Sequence, residues 1–368
     1  MKLSSIRENI QQALNIVSKI VSAQTSLPVL NNVLLKTENG RLKVAATNLE
    51  IGITTWVGAK IEQEGGLTVP ARLITDSIQL FPNETVDFST DNDTLFIKSK
   101  QHNATIKGIS VEEFPLIPKI DSKPVVSLPA LDLSTLLSDV SFAAAYDETR
   151  PEIAGVNLMI STDSITCAST DSYRLAERTI KLKKNATAKK SVILPIKTVL
   201  EVSRILQYNL EATVSLSFSE NQILFAIDDT EIVSRLVEGT FPEYQAIIPT
   251  KHETQAFINR DDFIKAVKLT SFFSKRGTFD VHLSFDQKKN ALVVNSTVQQ
   301  TGQSVSSVVA NITGKDNEIV LNYRFLLDFL SNTAGKEIVF EMQSDSSPAV
   351  MRPVEEKGYV YVIMPIKS

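Results

Sequence analysis

Three short segments share one pattern: Val69-Pro70-Ala71-Arg72-Leu73-Ile74, Leu194-Pro195-Ile196-Lys197-Thr198-Val199 and Leu321-Asn322-Tyr323-Arg324-Phe325-Leu326. Each reads as an apolar residue, a break, a base and then an apolar stripe, and the segments start 125 and then 127 residues apart. Phe114-Pro115 and Phe241-Pro242 stand 127 residues apart, each followed by an Ile-Pro pair, Ile117-Pro118 and Ile248-Pro249. A third copy would close near Met364-Pro365, where the sequence given stops. Amphipathic helices are expected to open each copy, over residues 6–21, 131–145 and 260–273. A chain with this internal period builds one unit three times, and any single-core fold is excluded.

The stretches 118–124 and 249–253, which hold Pro and Lys, read as linkers, dividing the chain into domains 1–122, 123–250 and 251–368. In the first helix Ile6, Ile10, Ala13, Leu14, Val17 and Val21 recur at spacings of three and four and make one apolar face. Its other face carries Arg7, Gln11, Asn15, Ser18 and Ser22. Between helices the pattern alternates as strands do, as in Leu42-Lys43-Val44-Ala45 and Val281-His282-Leu283-Ser284-Phe285, with turns at Asn39-Gly40 and Asp91-Asn92-Asp93. The fold class is α+β, each unit mostly antiparallel sheet with two helices on one face.

Net charge is −4, so a surface that grips nucleic acid all over is excluded and any contact with DNA is local. Over the expected helical stretches 5–22, 71–81, 131–145, 196–207, 260–276 and 323–336 the charge is +4, which leaves −8 for the rest. Lys265, Lys268, Lys275 and Arg276 supply much of that excess. A weakly basic helical layer in an acidic protein suits sliding on DNA without sequence readout.

Enzymatic readings find little support. His102, His252 and His282 lack metal-ligand spacing and form no Ser-His-Asp pattern, and no Gly-rich phosphate loop is present. Asp91-Asn92-Asp93-Thr94 opens like a calcium loop without its Gly or closing Glu, and reads as a turn. Asp171 beside Arg174 has no paired base, and the lone Cys167, in an alternating stretch, reads as a small core residue. No cofactor is expected. No apolar run reaches the roughly 20 residues of a membrane helix and no signal peptide opens the chain, so a cytoplasmic protein without a membrane role is expected. Two rival readings are a repeat-built protein scaffold with no DNA role and a hydrolase assembled from dispersed carboxylates.

Several segments resemble the bacterial sliding clamps, the beta subunits of DNA polymerase III. They are Ser26-Leu27-Pro28-Val29-Leu30-Asn31-Asn32-Val33-Leu34-Leu35, Thr47-Asn48-Leu49-Glu50, Val69-Pro70-Ala71-Arg72, Thr170-Asp171-Ser172-Tyr173-Arg174-Leu175-Ala176, Phe241-Pro242-Glu243-Tyr244 and Tyr361-Val362-Ile363-Met364-Pro365-Ile366. The resemblance spans the chain in order. It implies a non-catalytic processivity factor, a head-to-tail homodimer whose six domains enclose duplex DNA with helices inside and sheets outside. Its partners would be the replicative polymerase, the clamp loader and other proteins with a clamp-binding motif.

The resemblance also implies sites. A pocket for a peptide with Gln and apolar anchors would comprise Ile153, Thr170, Tyr173, Arg174, Leu175, Pro242, Ile247, Val362, Met364, Pro365 and Ile366. Apolar walls would bury the anchors, while Arg174 and the Thr170 hydroxyl would orient amide groups. Two departures bear on affinity: Ser172-Tyr173 stand where the family often has Gly-His, and Lys367-Ser368 end the chain where it has Arg and an apolar residue. The subunit interface would set Phe272 and Phe273 near Leu73, Ala104 and Ile106 of the other copy. Adjacent helical residues lie about 100° apart, so only one of the two rings can face its own core. DNA would meet Lys19, Arg72, Arg150, Lys197, Arg204, Lys265, Lys268 and Arg324, of which Arg72, Lys197 and Arg324 hold equivalent repeat positions.

Overall fold

The structure, a computed structural model, describes residues 1–21, 27–147, 149–275, 277–298 and 302–366. Ser22, Ser26, Arg276, Lys367 and Ser368, which figure in the sequence patterns above, lie outside the described residues. Among the described residues six α-helices punctuate the strands: α1 (Arg7–Val17), α2 (Ala71–Leu80), α3 (Ala130–Ser141), α4 (Ile196–Leu206), α5 (Arg260–Ser271) and α6 (Tyr323–Asn332). All named strand pairs are antiparallel, as the alternating patterns imply.

The chain forms two compact units, Met1–Leu133 with Leu200–Leu236 and Ser134–Val199 with Val237–Ser368. This pairing of segments divides the middle repeat. The cause is strand pairing. In the first unit Thr230–Arg235 of the middle repeat pairs with Ile51–Gly58 of the first, closing an eight-stranded sheet. In the second, Arg174–Lys181 pairs with Tyr359–Ile363, and the eight strands around that seam follow the same repeat order. Edges that would otherwise stand open are thus paired across repeats.

α1 is shorter than its apolar pattern suggests. Ile6 belongs to the strand Lys2–Ile6, where it pairs with Thr85 and is exposed, so the sheet ladder claims it before the helix can. At the other end α1 tightens into a 3-10 turn, Ser18–Ile20, and Val21 is extended. The remaining face buries Ile10, Ala13, Leu14, Ile16 and Val17. α5 and α6 start where Asn259 and Asn322 accept the N–H groups of Asp262 and Arg324, side-chain caps worth about 1 kcal/mol each. Asp91-Asn92-Asp93 is a tight turn between the strands Thr85–Asp91 and Thr94–Lys98, and Cys167 is wholly buried, its thiol pushed up by desolvation.

The true helix ends change the charge count. With the 3-10 turn after α1 included, the helices hold nine basic and eight acidic side chains, because Lys275 and Lys336 fall outside them and Arg276 lies outside the described residues. The expected +4 shrinks to +1. Helical charge as a whole is nearly balanced, and any preference for phosphate rests on where particular bases stand.

In the second unit Tyr361 stacks on Phe329 at 4.9 Å and donates its hydroxyl to the Phe325 carbonyl at 3.0 Å, joining the closing strand to α6. Tyr359 donates to the Asp139 carbonyl at 2.6 Å, joining the same strand to α3. Beside that bond the Asp139 carboxylate lies 3.3 Å from Arg178 Nε, and Arg178 Nη1 lies 3.1 Å from Glu356. Burial pushes the Asp139 carboxyl up to about 7, with Arg178 opposing the shift and Glu356 adding to it. A carboxyl raised in the folded state contributes stability that is complete below its unfolded pKa of about 4 and is lost as pH climbs through the folded value. The melting temperature is therefore expected to fall between pH 5 and pH 8, and Asp139→Asn should flatten that slope. Calorimetry across this range checks it, and equal slopes in both proteins would refute the assignment.

Candidate partner and DNA-contact sites

The hairpin Ser164–Thr170 and Arg174–Lys181, the segment 241–248 and the closing strand Tyr359–Ile363 meet in the second unit. Leu175 sits opposite Val362 across the paired strands, and Met364 N–H donates to the Tyr173 carbonyl at 2.9 Å. Leu175 and Val362 join Ala168, Ile193, Phe241, Tyr244 and Val350 in one apolar cluster, against which Ile248 also packs. Around it Tyr173, Ile247 and Met364 are exposed at 66%, 50% and 39%, which is unusual for large apolar side chains standing together. Pro242 and Pro365 are half-buried. The arrangement offers apolar side chains to an incoming chain over a packed floor.

Several candidates behave differently from the sequence expectation. Ile153, Leu175 and Val362 are core residues, 3%, 5% and 1% exposed, so they support a surface without presenting one. Ile366 donates its N–H to the Val320 carbonyl and lines a separate cavity with His282 and Glu318. Arg174 is not a free donor for a ligand amide. Its Nε donates to Asp171 at 2.9 Å, its Nη1 to Asp328 and its Nη2 to the Phe142 carbonyl at 2.7 Å, and its guanidinium lies over the Phe325 ring. The Thr170 hydroxyl likewise donates to the Arg174 carbonyl at 2.7 Å and accepts the Ser172 N–H at 3.1 Å. Both residues shape the turn 170–174, whose tip, Ser172, has φ 77°.

Phe241 and Tyr244 hold more of the cluster than the sequence suggested. The Tyr244 hydroxyl donates to Glu177 at 2.6 Å, and burial with that carboxylate keeps the phenol above its usual range. Their segment was visible as a motif, while the hydroxyl's partner was not. Asp328, the second anchor of Arg174, lies 154 residues from it, a separation with no local signal.

Among the DNA candidates, Arg72, Lys197 and Arg324 are each the second residue of a helix, α2, α4 and α6, and each is exposed. Arg72 lies 3.7 Å from Asp76, and Arg324 lies over the Phe279 ring at 3.6 Å. A cation in the first turn opposes the helix dipole at a cost of about 0.3–1 kcal/mol, and three repeats carry it. Lys19, Lys265 and Lys268 are exposed, Lys265 within 3.2 Å of Asp262. Arg204 departs from expectation. Its guanidinium donates to Glu201 and to the carbonyls of Asn15 and Ile16 at the end of α1, an internal clamp. Arg150 donates to the Ser172 hydroxyl at 3.0 Å and to Glu152, which ties it to the turn 170–174.

Of the interface candidates, Leu73 and Phe272 are exposed, at 50% and 80%, and Ala104 and Phe273 are half-buried. The two rings differ in exposure, but both stand past the end of α5 at Ser271, so the helical spacing expected for them does not apply. Ile106, 2% exposed, is core of its own sheet, although its strand Asn103–Lys107 ends that sheet with an edge unpaired among the described residues. Among the same residues, 302–309 pair on one side only, with Ala291–Val298, and expose Val305 and Val309. The sequence pattern did not single out these two valines because alternation alone does not say which face is covered.

Replacing Arg174 by Ala is expected to cost about 3 kcal/mol, since Asp171 and Asp328 lose their shared cation, and Lys should restore only part of it because three directed bonds need a guanidinium. Denaturant midpoints measure both. Ser172→Gly is expected to stabilise by about 0.5–1 kcal/mol, since Gly occupies positive φ without a Cβ penalty. An unchanged midpoint would show the turn to be unstrained.

Among the described residues no group of acidic, His or Cys side chains is placed to hold a metal, and no helix is long and apolar enough to cross a membrane. Residues 1–118, 127–243 and 245–367 match the N-terminal, central and C-terminal domains of the DNA polymerase III beta subunit. The beta sliding clamp of Streptomyces coelicolor is 30% identical over 377 residues, covering 100% of this chain and 99% of that protein. That of Synechococcus elongatus is 29% identical over 374 residues, with the same coverage. The crystal structure of the Bacillus subtilis DNA polymerase sliding clamp superposes with a TM-score of 0.95 at 26% identity, covering 100% of this chain and 99% of that one. The Thermotoga maritima DNA polymerase III beta subunit gives 0.93 at 25%, again over 100% and 99%. With full-length likeness in sequence and in fold, the chain belongs to the DNA polymerase III beta subunit family, the bacterial sliding clamps.

Proposed function

We propose that two copies of this chain join head to tail into a closed ring around duplex DNA and that this enclosure supplies its processivity. The protein is a non-catalytic clamp that tethers the replicative polymerase and other clamp-binding proteins. Three domains, 1–122, 123–250 and 251–368, serve as the ring's repeating elements. The observation that carries the DNA reading is the base at the second position of α2, α4 and α6. Each adds a cation to the positive end of a helix dipole, an arrangement that is costly alone and favourable beside a phosphate. Lys19, Lys265 and Lys268 extend this weak field, while Arg204 and Arg150 are spent on internal bonds and stand outside it. A near-neutral helical layer with a few directed bases holds the backbone without sequence preference and lets it slide.

The cluster around Leu175 and Val362 with its apolar rim of Tyr173, Ile247 and Met364 is the partner-peptide site, Arg174 and Thr170 acting by holding the turn. Pairing of the free edges, Asn103–Lys107 of one copy with residues 302–309 of the other, would close the ring and remove both edges, with Phe272 and Leu73 covering the seam. A protein that works on the bacterial replication fork belongs in the cytoplasm.

The clamp loaded on nicked circular DNA by its loader ATPase should remain until the circle is linearised and then run off the ends. A protein bound by surface contacts alone would be indifferent to the cut. Reversing Arg72, Lys197 and Arg324 to Glu should weaken open-form DNA binding and lower its salt slope by about 0.9 for each phosphate no longer neutralised. Phe272→Asp should shift the sedimentation equilibrium toward monomer, and a dimer as tight as the unaltered one would contradict the proposed seam.

A further inference from the structure

The turn that presents the partner-peptide site has a second copy in the first unit. In the site, Thr170 Oγ1 donates to the Arg174 carbonyl and accepts the Ser172 N–H, while Asp171 Oδ1 accepts the N–H groups of Tyr173 and Arg174. In the first unit Thr47 Oγ1 donates to the Ile51 carbonyl and accepts the Leu49 N–H, while Asn48 Oδ1 accepts the N–H groups of Glu50 and Ile51. Leu49 has φ 74° where Ser172 has 77°. Arg235 N–H donates to the Glu50 carbonyl at 3.0 Å, as Met364 N–H does to that of Tyr173 at 2.9 Å. Gly52 faces Val233 across the strands, as Leu175 faces Val362.

The copy differs in its lining. Gly52 has no side chain, and an Ile117 methyl lies 2.7 Å from where its Cβ would stand, so Ile117 is seated directly on the strand. Only two residues separate Phe114 from Ile117, where six separate Phe241 from Ile248, so the 3-10 turn Gln245–Ile247 has no counterpart. What remains is a cavity of about 190 Å³ lined by Leu49, Glu50, Leu116, Ile117, Val233 and Arg235. Leu116 is 91% exposed at its margin. Glu50 and Arg235 replace Tyr173 and Met364, so a charged rim stands where the peptide site has an apolar one, and among the described residues no ion pair holds Arg235.

We propose that this cavity is a second docking site, for an extended segment of a clamp-bound partner carrying one leucine-sized anchor beside a carboxylate. The volume admits one such side chain, Leu116 and Leu49 close over it, and Arg235 receives the carboxylate. The inference rests on reading the Leu175–Val362 cluster as a peptide site, since the likeness of the two turns is what assigns the function.

Methyl-labelled full-length protein is titrated with acetyl-Asp-Leu-Ser-Gly-amide, and separately with a reference peptide carrying Gln and two apolar anchors. The short peptide is expected to move the Leu49, Leu116 and Val233 methyls to saturation, with affinity at least tenfold lower in Arg235→Glu and in Leu116→Ser. Leu116 is almost wholly exposed, so its replacement leaves folding intact. The reference peptide should move Ile247, Val362 and Met364 equally in all three proteins. If the reference binds there while the Leu49 set stays still with the short peptide, the second site is overturned and the first stands. Equal movement of the Leu49 set in the variants overturns the second site as well. If the reference leaves Ile247, Val362 and Met364 unmoved, the peptide-site reading fails, and the second-site assignment falls with it.

Discussion

The backbone ladder between repeats is the constraint on which the rest depends. Ile51–Gly58 with Thr230–Arg235, and Arg174–Lys181 with Tyr359–Ile363, are pairings in which one repeat finishes a sheet begun by another. Each supplies a run of hydrogen bonds that neither repeat can satisfy alone, and leaving such groups unpaired in a buried sheet is costly. The middle repeat is divided between the two units for this reason. The same seams set the turn at residue 173 beside Met364 and the turn at residue 50 beside Arg235, so both proposed docking sites lie where a seam ends.

Around the second seam, polar groups are spent on geometry. Arg174 satisfies two carboxylates and a carbonyl from within the protein, while Tyr244 and Tyr361 anchor through their hydroxyls. At the proposed peptide site, binding energy would then come from apolar contact with the exposed Tyr173, Ile247 and Met364 above the floor of Leu175 and Val362, a division of labour between a preorganised floor and an anchor. The balance of charge on the helices fits the same economy. With +1 over the six helices and the 3-10 turn after α1, grip is local, and a clamp that holds by enclosure needs no more.

Much of the architecture was legible in the residues. The 125 and 127 residue spacings located helix starts at Ala71, Ile196 and Tyr323 correctly, because the break before each base is a local signal. Helix ends were less legible. Ile6 carried the right apolar spacing for α1 yet was taken by strand pairing with Thr85, a contact no local pattern shows. Tyr173, Ile247 and Met364 were named and stand exposed around one cluster, while Ile366 was named on its position next to Pro365 and is anchored to Val320 instead.

The sequence by itself determined the threefold repeat, the antiparallel α+β class, the absence of familiar catalytic motifs and the family, since periodicity and short motifs survive without knowledge of contacts. Tertiary structure alone decided which arginines are consumed by internal bonds. Arg204 and Arg324 look alike in sequence as helical arginines, but Arg204 reaches the end of α1, 188 residues away, and Arg324 lies on an aromatic ring at an exposed helix start. The availability of a side chain is a property of its neighbours in space, and bonds across such separations leave no trace in local spacing.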